Sequence, residues 1–204
     1  MTEKENKRRP STDVRRKELV QIAYRLIAEK GLEGLRTRDV AAAAGIDTGT
    51  LHYHFPSKEA LEQAVVEYLA EDFCADRIAA GKVPANALEE LHNEIFDAAL
   101  RVRQSPDQLL VMLDLTVRAS RDPAVADILR RMYEGWTWSI MRMLKAGIEQ
   151  GLFRADLDPE TVAPLLRAQL IGLGMIGLAQ PERIEAVAAA LYSQLETWLS
   201  KRTK

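Results

Sequence analysis

The sequence has little of what builds cross-links or redox sites. Only one of its 204 residues is cysteine, Cys74, and only three are histidine. A single cysteine excludes an intramolecular disulfide and is typical of proteins from a reducing compartment. We therefore predict a cytoplasmic protein whose fold is held by packing.

Catalytic and metal-binding patterns are also missing. The chain has no glycine-rich phosphate loop, no nucleophile elbow and no paired-carboxylate signature. His52 and His54 are two residues apart, so on a helix they point about 200° apart and cannot hold one ion together. Cys74 and His92 would need a group that orients the histidine, and a buried structural thiol is the expected role of the cysteine. We predict no enzyme activity, no cofactor and no metal.

Long apolar runs and strong net charge are absent too. The longest apolar run extends from Leu170 to Ala179, which is too short to span a membrane, and the N-terminus is charged and polar. We expect no membrane partner. The formal net charge is -2, but residues 1–58 carry 12 Lys/Arg against 8 Asp/Glu and leave the remainder at -6. Such asymmetry is typical of a nucleic-acid-binding end joined to an acidic domain.

Residues 36–58 predict two short helices joined by a tight turn. Thr37 is a good N-cap for the first helix, which ends at Gly45. Asp47 caps the second helix, and Pro56 ends it because proline donates no backbone hydrogen bond. Two helices joined by a short turn that begins with glycine form a helix-turn-helix, which places its second helix in a DNA groove.

The second of these helices carries side chains suited to DNA. Its first turn has only small residues, Thr48, Gly49 and Thr50, so backbone and hydroxyl groups can approach phosphates and base edges. Larger candidate phosphate donors follow at His52, Tyr53, His54 and Lys58. The ring of Tyr53 also suits contact with a thymine methyl group.

This segment resembles the helix-turn-helix of the TetR family of bacterial repressors. The matching residues are Thr37-Arg38-Asp39-Val40-Ala41, Ala44-Gly45-Ile46 and Gly49-Thr50-Leu51-His52-Tyr53-His54-Phe55-Pro56-Ser57-Lys58-Glu59-Ala60-Leu61. His52 departs from the family pattern, which usually has tyrosine there. The resemblance implies phosphate contacts at Thr37 and Lys58 and base contacts at Thr48, Gly49, Thr50 and Tyr53. The complete set of predicted DNA-binding residues is Thr37, Arg38, Thr48, Gly49, Thr50, His52, Tyr53, His54 and Lys58.

The rest of the chain shows helical periodicity, and no useful run alternates polar and apolar residues as a strand would. We predict an all-α fold of about nine helices. It has an N-terminal three-helix helix-turn-helix DNA-binding domain and a C-terminal helical ligand-binding and dimerisation domain. Residues 1–11 are predicted to form a disordered basic arm, residues 12–57 the DNA-binding domain and residues 58–204 the C-terminal domain.

The last two predicted helices favour a homodimer. The eighth is apolar almost all round from Leu165 to Ala179, so one side needs cover from a second molecule. Gly172, Gly174 and Gly177 are small enough to let another helix approach. The eighth and ninth helices of two subunits would form a four-helix bundle with two-fold symmetry, and the TetR resemblance implies the same dimer. The predicted interface residues are Leu170, Gly174, Leu178, Leu191, Leu195 and Trp198.

Large, adaptable apolar side chains concentrate in the fifth to seventh predicted helices. Such residues suit a pocket for a small apolar or amphipathic ligand, and the TetR resemblance implies an inducer site in this region. The alternative is that aromatic and methionine residues at helical spacing are simply core. The predicted ligand-binding residues are Phe96, Met112, Arg118, Met132, Tyr133, Trp136 and Met143.

Taken together with the resemblance, these features predict a dimeric, ligand-responsive transcriptional repressor. It would bind a near-palindromic double-stranded DNA operator and be released by a small-molecule inducer. Two alternatives stay open: a helical ligand-binding or scaffold protein that does not bind DNA, and an activator on the same fold. DNA binding with a steep salt dependence separates the scaffold from the repressor.

Overall fold

The computed structural model describes residues 12–79 and 84–200, with the side chains of residues 72–79 excepted. The predicted basic arm, residues 1–11, and the side chain of Cys74 lie outside the described residues. The α-helices are α1 Thr12–Lys30, α2 Thr37–Ala43, α3 Thr48–His54, α4 Lys58–Ala79, α5 Ala87–Gln104, α6 Pro106–Ala119, α7 Pro123–Glu149, α8 Pro159–Ala179 and α9 Ile184–Leu199. The described ranges contain no β-strand, and one isolated β-bridge joins Phe153 to Ser200. The predicted all-α fold is confirmed.

Side-chain caps explain where several helices begin. Asp47, Asn86, Asp122 and Asp158 each accept a backbone hydrogen bond from the first turn of the following helix, at 2.8 to 3.1 Å. Such caps satisfy N–H groups that have no partner within the helix. Thr37, predicted as a cap, is instead the first residue of α2, which begins without a side-chain cap.

Two hydrophobic cores hold the helices together. The first core is formed by α1, α2, α3, α4, α6 and the N-terminal half of α7, and it includes Leu19, Val65 and Leu115. The second joins α5, α8 and α9 with the C-terminal half of α7, and it includes Ile95 and Leu166. The helix-turn-helix therefore shares its core with α6 and α7. The limits of the predicted domains stay a prediction.

The glycines of α8 serve mainly packing within the chain. A Cβ added at Gly174 would lie 2.9 Å from a methyl group of Leu109, and one added at Gly177 would overlap Ile184. These glycines, predicted to admit a second molecule, therefore seat neighbouring parts of the same chain. A Cβ at Gly172 would meet nothing within 4 Å among the described residues, so this position faces outward.

Length and hydropathy alone would allow α8 to cross a membrane, and no other helix in the described residues meets this test. The sequence prediction missed it because Arg167 and Gln169 interrupt the apolar run. Core helices of globular proteins pass the same test, and 39% of the most apolar window of α8 is buried inside this chain. The helix is therefore only weak support for a membrane location.

Candidate DNA-binding surface and ligand cavity

The second helix of the motif, α3, is anchored by its apolar side and exposed on the other. Leu51 and Phe55 are buried, at 1% and 2% exposure, whereas Tyr53 between them is 79% exposed. Asp47 fixes the start of the helix, since its carboxylate accepts the hydroxyl of Thr50 at 2.7 Å and the backbone N–H of Thr50 at 2.8 Å. These two bonds, the hydroxyl bond first, lower the pKa of Asp47. The helix therefore presents Tyr53 outward from a fixed base.

The turn between α2 and α3 depends on a glycine. Gly45 has a φ of 65°, in the left-handed region that favours glycine. Directly after it, the backbone N–H of Ile46 donates to the carbonyl of Ala41 at 3.0 Å. These contacts close the turn at the position where the sequence predicted the end of the first helix.

Two arginines of α1, which sequence analysis missed, hold the carbonyl ends of both motif helices. Arg15 donates to the carbonyl of Ala44 at 3.0 Å, just beyond α2, and Arg16 donates to that of His54 at 2.9 Å, the last residue of α3. The guanidinium of Arg16 also lies 4.4 Å from the ring centroid of Phe55. Cations stabilise helix C-termini because carbonyls without a helical partner carry partial negative charge. The paired arginines were visible in the sequence, but their partners, 29 and 38 residues away, were not.

The predicted DNA-binding residues surround this exposed helix face. The exposed members are Arg38, Thr48, Gly49, Thr50, His52 and Tyr53, and the half-buried members are Thr37, His54 and Lys58. Arg38 lies 3.5 Å from the carboxylate of Asp39, and the ammonium of Lys58 lies 3.3 Å from that of Glu62. Contact of these residues with DNA stays a prediction.

A cavity of about 1250 Å³ lies between α5, α6, α7 and α8. The predicted ligand-binding residues in its wall are Met112, Met132, Tyr133 and Trp136. The indole N–H of Trp136 donates to the carboxylate of Glu94 at 2.6 Å, which joins α7 to α5 at the cavity wall. The volume is sufficient for a small organic ligand.

The other three predicted ligand-binding residues lie outside the cavity wall, so their contact with a ligand stays a prediction. Phe96 stacks on His92, with ring centroids 4.3 Å apart, and Met143 is 2% exposed within the second core. Arg118 turns away from the cavity, and its Nε lies 3.4 Å from the carboxylate of Asp122. Helical spacing identified apolar and cationic residues, but it could not show which face of each helix turns toward the cavity.

Sequence analysis also missed acidic groups in the cavity wall. Glu90, Glu94 and Asp97 of α5 line it together, because residues spaced four and three apart share one face of a helix. Arg142 of α7 forms an ion pair with Glu90. The spacing was visible in the sequence, but only the packing of α5 against α7 and α8 shows that this charged face turns inward. The cavity is therefore amphipathic.

Three of the six predicted interface residues lie inside the chain's own core. Leu170 and Leu195 are 5% and 2% exposed, and Gly174 is buried. The other members, which are half-buried or exposed, are Leu178, Leu191 and Trp198. Because α8 is apolar on more than one face, composition could not show which of its faces packs inward, and the subunit interface itself stays a prediction.

Three large apolar side chains of α8 and α9 are exposed. Leu165, Met175 and Trp198, the last of them a predicted interface residue, are 49%, 43% and 37% exposed, and Gly172 lies between the first two on α8. We call these four residues the outer stripe. A second subunit would cover them in the predicted dimer.

Family models cover both the helix-turn-helix and the cavity-forming helices. One described as bacterial regulatory proteins, tetR family, matches residues 19–65. A second, described as BetI-type transcriptional repressor, C-terminal, matches residues 84–201, which is more than half of the chain. The chain belongs to the TetR family. The resemblance seen in the helix-turn-helix is thereby confirmed.

Other TetR-family proteins resemble this chain over most of its length. The HTH-type transcriptional repressor KstR2 of Rhodococcus jostii is 31% identical over 159 residues, or 75% of this chain and 74% of KstR2. The HTH-type transcriptional regulator CymR of Pseudomonas putida is 31% identical over 172 residues, or 83% of each protein. These relatives are named as transcriptional regulators rather than as enzymes.

The fold agrees with solved structures of bacterial transcriptional regulators. A transcriptional regulator from Saccharomonospora viridis, in complex with choline, superposes with a TM-score of 0.84 at 26% identity, covering 93% of this chain and 100% of that one. The ketosteroid regulator KstR2 of Mycobacterium tuberculosis superposes with a TM-score of 0.66 at 25% identity, covering 92% of this chain and 96% of that one. The helices around the cavity thus have counterparts in relatives that bear regulatory names.

Proposed function

We propose that this TetR-family chain is a ligand-responsive transcriptional repressor that binds a near-palindromic operator as a homodimer and is released by a small-molecule inducer. The observation that carries the proposal is the exposed face of α3. Tyr53 is 79% exposed between two buried apolar residues, and the hydrogen-bonding side chains of Thr48 and His52 are exposed on the same short helix, which suits contacts with phosphates and base edges. The family membership makes duplex DNA the expected partner.

The outer stripe supports the proposed pairing of two subunits. It leaves Leu165, Met175 and Trp198 exposed on the two helices nearest the C-terminus. Covering such a face with a second copy gives a closed two-fold dimer. Two α3 helices would then enter successive major grooves about 34 Å apart, as two-fold helix-turn-helix proteins do.

The cavity supports a small apolar or amphipathic inducer. Aromatic and methionine side chains supply adaptable apolar contacts, while Glu94 and Asp97 supply polar anchors in the same wall. The choline complex of the Saccharomonospora viridis protein supports small-molecule binding in this group of relatives. An inducer acts only to the extent that it binds the DNA-incompetent conformation better, and a preference of about 1–3 kcal/mol is ordinary for such coupling.

Fluorescence anisotropy with labelled duplexes tests the proposal. An operator is first selected from a random duplex library with the purified protein, and affinity for it and for random duplex is then measured across salt concentrations. A repressor gives a steep loss of affinity with salt for both duplexes and a large preference for the selected one. Absence of salt-dependent binding to either duplex contradicts the proposal and favours a helical scaffold.

A further inference from the structure

Glu62 is a buried carboxylate at the junction between the DNA-binding surface and the cavity-forming helices. It is 3% exposed and is the one charged residue classed as buried in the described part of the chain. It lies one helical turn after Lys58, and its two oxygens face different cations. The ammonium of Lys58 lies 3.3 Å from Oε1, and the guanidinium of Arg118 lies 3.6 Å from Oε2.

Arg118 reaches Glu62 from a fixed position. Its Nε lies 3.4 Å from Asp122, and the same carboxylate accepts the backbone N–H of Ala124 at 3.1 Å to cap α7. Arg118 is therefore tied to the junction of α6 and α7, two helices that line the cavity. Its contact with Glu62 joins that junction to the start of α4.

The face of α6 that carries Arg118 makes two further polar contacts with the N-terminal helices. Asp107 accepts the hydroxyl of Tyr24 at 2.9 Å, and Asp114 accepts the backbone N–H of Leu32 at 2.8 Å. These positions and Arg118 are spaced seven and four residues apart and so share one helix face. Other residues of α6, including Met112 and Thr116, line the cavity. One helix, α6, therefore contacts both the cavity and the N-terminal helices.

The charges of Glu62 and Arg118 determine whether Lys58 can leave Glu62 to contact DNA. An ionised buried carboxylate left without a cation is strongly unfavourable. If Lys58 moves to a DNA phosphate, Arg118 is the cation that remains beside Glu62. Burial raises the pKa of Glu62, with Lys58 and then Arg118 opposing the shift, which agrees with a carboxylate that depends on its neighbours.

We propose that Arg118 is a positioning residue for DNA binding: by compensating Glu62, it frees Lys58 to contact a DNA phosphate. Without Arg118, Lys58 is the one cation left beside Glu62 among the described residues, and Glu62 withholds it from DNA. This inference rests on the proposed DNA binding, but it assigns to Arg118 a role that the cavity does not give it. Movement of the α6–α7 junction would change DNA affinity through this charge.

The test measures affinity for random-sequence duplex as a function of salt, which requires neither the operator nor the inducer. Arg118→Gln is expected to lower the slope of log affinity against log salt by about 0.9 for each subunit, as loss of one phosphate contact does. Glu62→Gln removes the competitor for Lys58 and is expected to keep the wild-type slope. Arg121→Gln, which removes an exposed arginine from the turn just after α6, is the matched control and should also keep the wild-type slope.

The double variant Glu62→Gln/Arg118→Gln distinguishes positioning from a purely structural role. If Arg118 acts through Glu62, the double variant recovers the wild-type slope, because no carboxylate remains to hold Lys58. If Arg118 matters only for folding, the double variant keeps the reduced slope and unfolds at a lower temperature, and the inference is overturned. Arg118→Lys, which keeps a cation near Glu62, should restore most of the slope.

The outcomes also separate this inference from the proposed function. Failure of the wild-type protein to bind duplex in a salt-dependent way overturns both. Salt-dependent binding by wild type with an unchanged slope in folded Arg118→Gln overturns only the role of Arg118. Should Arg118→Gln fail to fold, Arg118→Met, which keeps more of the apolar stem, takes its place: a reduced slope that Glu62→Gln/Arg118→Met restores supports the role, and a wild-type slope for Arg118→Met overturns it.

Discussion

The DNA-binding surface and the ligand cavity are built in different ways. Most of the candidate DNA-binding face comes from α3, seven consecutive residues, so its pattern is local and can be seen in the sequence. The cavity wall comes from α5, α6, α7 and α8, which lie far apart along the chain. A surface made from one helix is specified by nearest neighbours, whereas a cavity is specified by how helices pack.

The largest effect on the DNA-binding surface is expected when the two proposed subunits separate. Leu165→Asp together with Met175→Asp places two charges on the outer stripe and should convert a dimer into monomers. Operator affinity should then fall by several orders of magnitude, because only one α3 can bind at a time. Light scattering with size-exclusion chromatography measures the oligomer, and anisotropy measures the affinity.

Val117→Asp is the control for this change, since Val117 is 64% exposed but lies on α6, away from the outer stripe. It should leave the oligomer unchanged. A dimer that survives the double change on α8 would show that the subunits pair through another surface.

Substitutions at the centre and at the edge of the candidate DNA-binding surface test whether its residues have separate roles. Tyr53→Ala should cost about 1–3 kcal/mol on the selected operator and much less on random duplex, because base contacts carry sequence preference. Lys58→Gln should weaken binding to both duplexes alike and lower the salt slope, since phosphate contacts carry none. Equal losses on both duplexes for Tyr53→Ala would contradict this division.

The cavity can be disturbed without touching that surface. Met112→Trp places a bulkier, aromatic side chain in the cavity wall and should reduce binding of the fluorescent probe anilinonaphthalene sulfonate several-fold, by occupying volume that the probe needs. DNA affinity should stay near that of wild type. Met143→Leu, in the core outside the wall, is the control, and equal probe binding by all three proteins would argue that the probe binds elsewhere.

The smallest expected effect concerns stability at the junction of the two regions. Burial raises the pKa of Glu62 above its ordinary value of 4.5. The folded state then binds a proton more tightly than the unfolded chain, so the free energy of unfolding of wild type falls as pH rises from 4.5 through the raised pKa.

Glu62→Gln removes this dependence, and its stability relative to wild type should therefore increase across the same pH range and level off above it. Urea unfolding at several pH values measures the difference. A constant difference would indicate that the carboxylate has the same pKa in both states.

Sequence reasoning succeeded where a property is local. The turn at Gly45, the cap at Asp47 and the buried pair of Leu51 and Phe55 all follow from spacing within a few residues. The all-α fold follows in the same way, because each helix shows its own periodicity. These features could be predicted without knowledge of tertiary packing.

Sequence reasoning was insufficient where a property depends on how distant helices pack against each other. It assigned Arg118 to the cavity, although the side chain pairs with Glu62 and Asp122, and it assigned Leu170 and Leu195 to the subunit interface, although both are core. A helix that is apolar on several faces does not reveal which face turns inward. Long-range choices of this kind need the packed structure.

The hydrogen bonds from Arg15 and Arg16 to the ends of α2 and α3 affect how DNA specificity can be transferred between regulators. A chimera that exchanges only residues 37–54 with those of another regulator keeps these anchors only if its helices end at the same places relative to α1, because both acceptors are backbone carbonyls. Moving α1 together with the graft keeps donor and acceptor from the same parent. The natural unit for transplanting DNA specificity in this protein is therefore the whole stretch from residue 12 to residue 54.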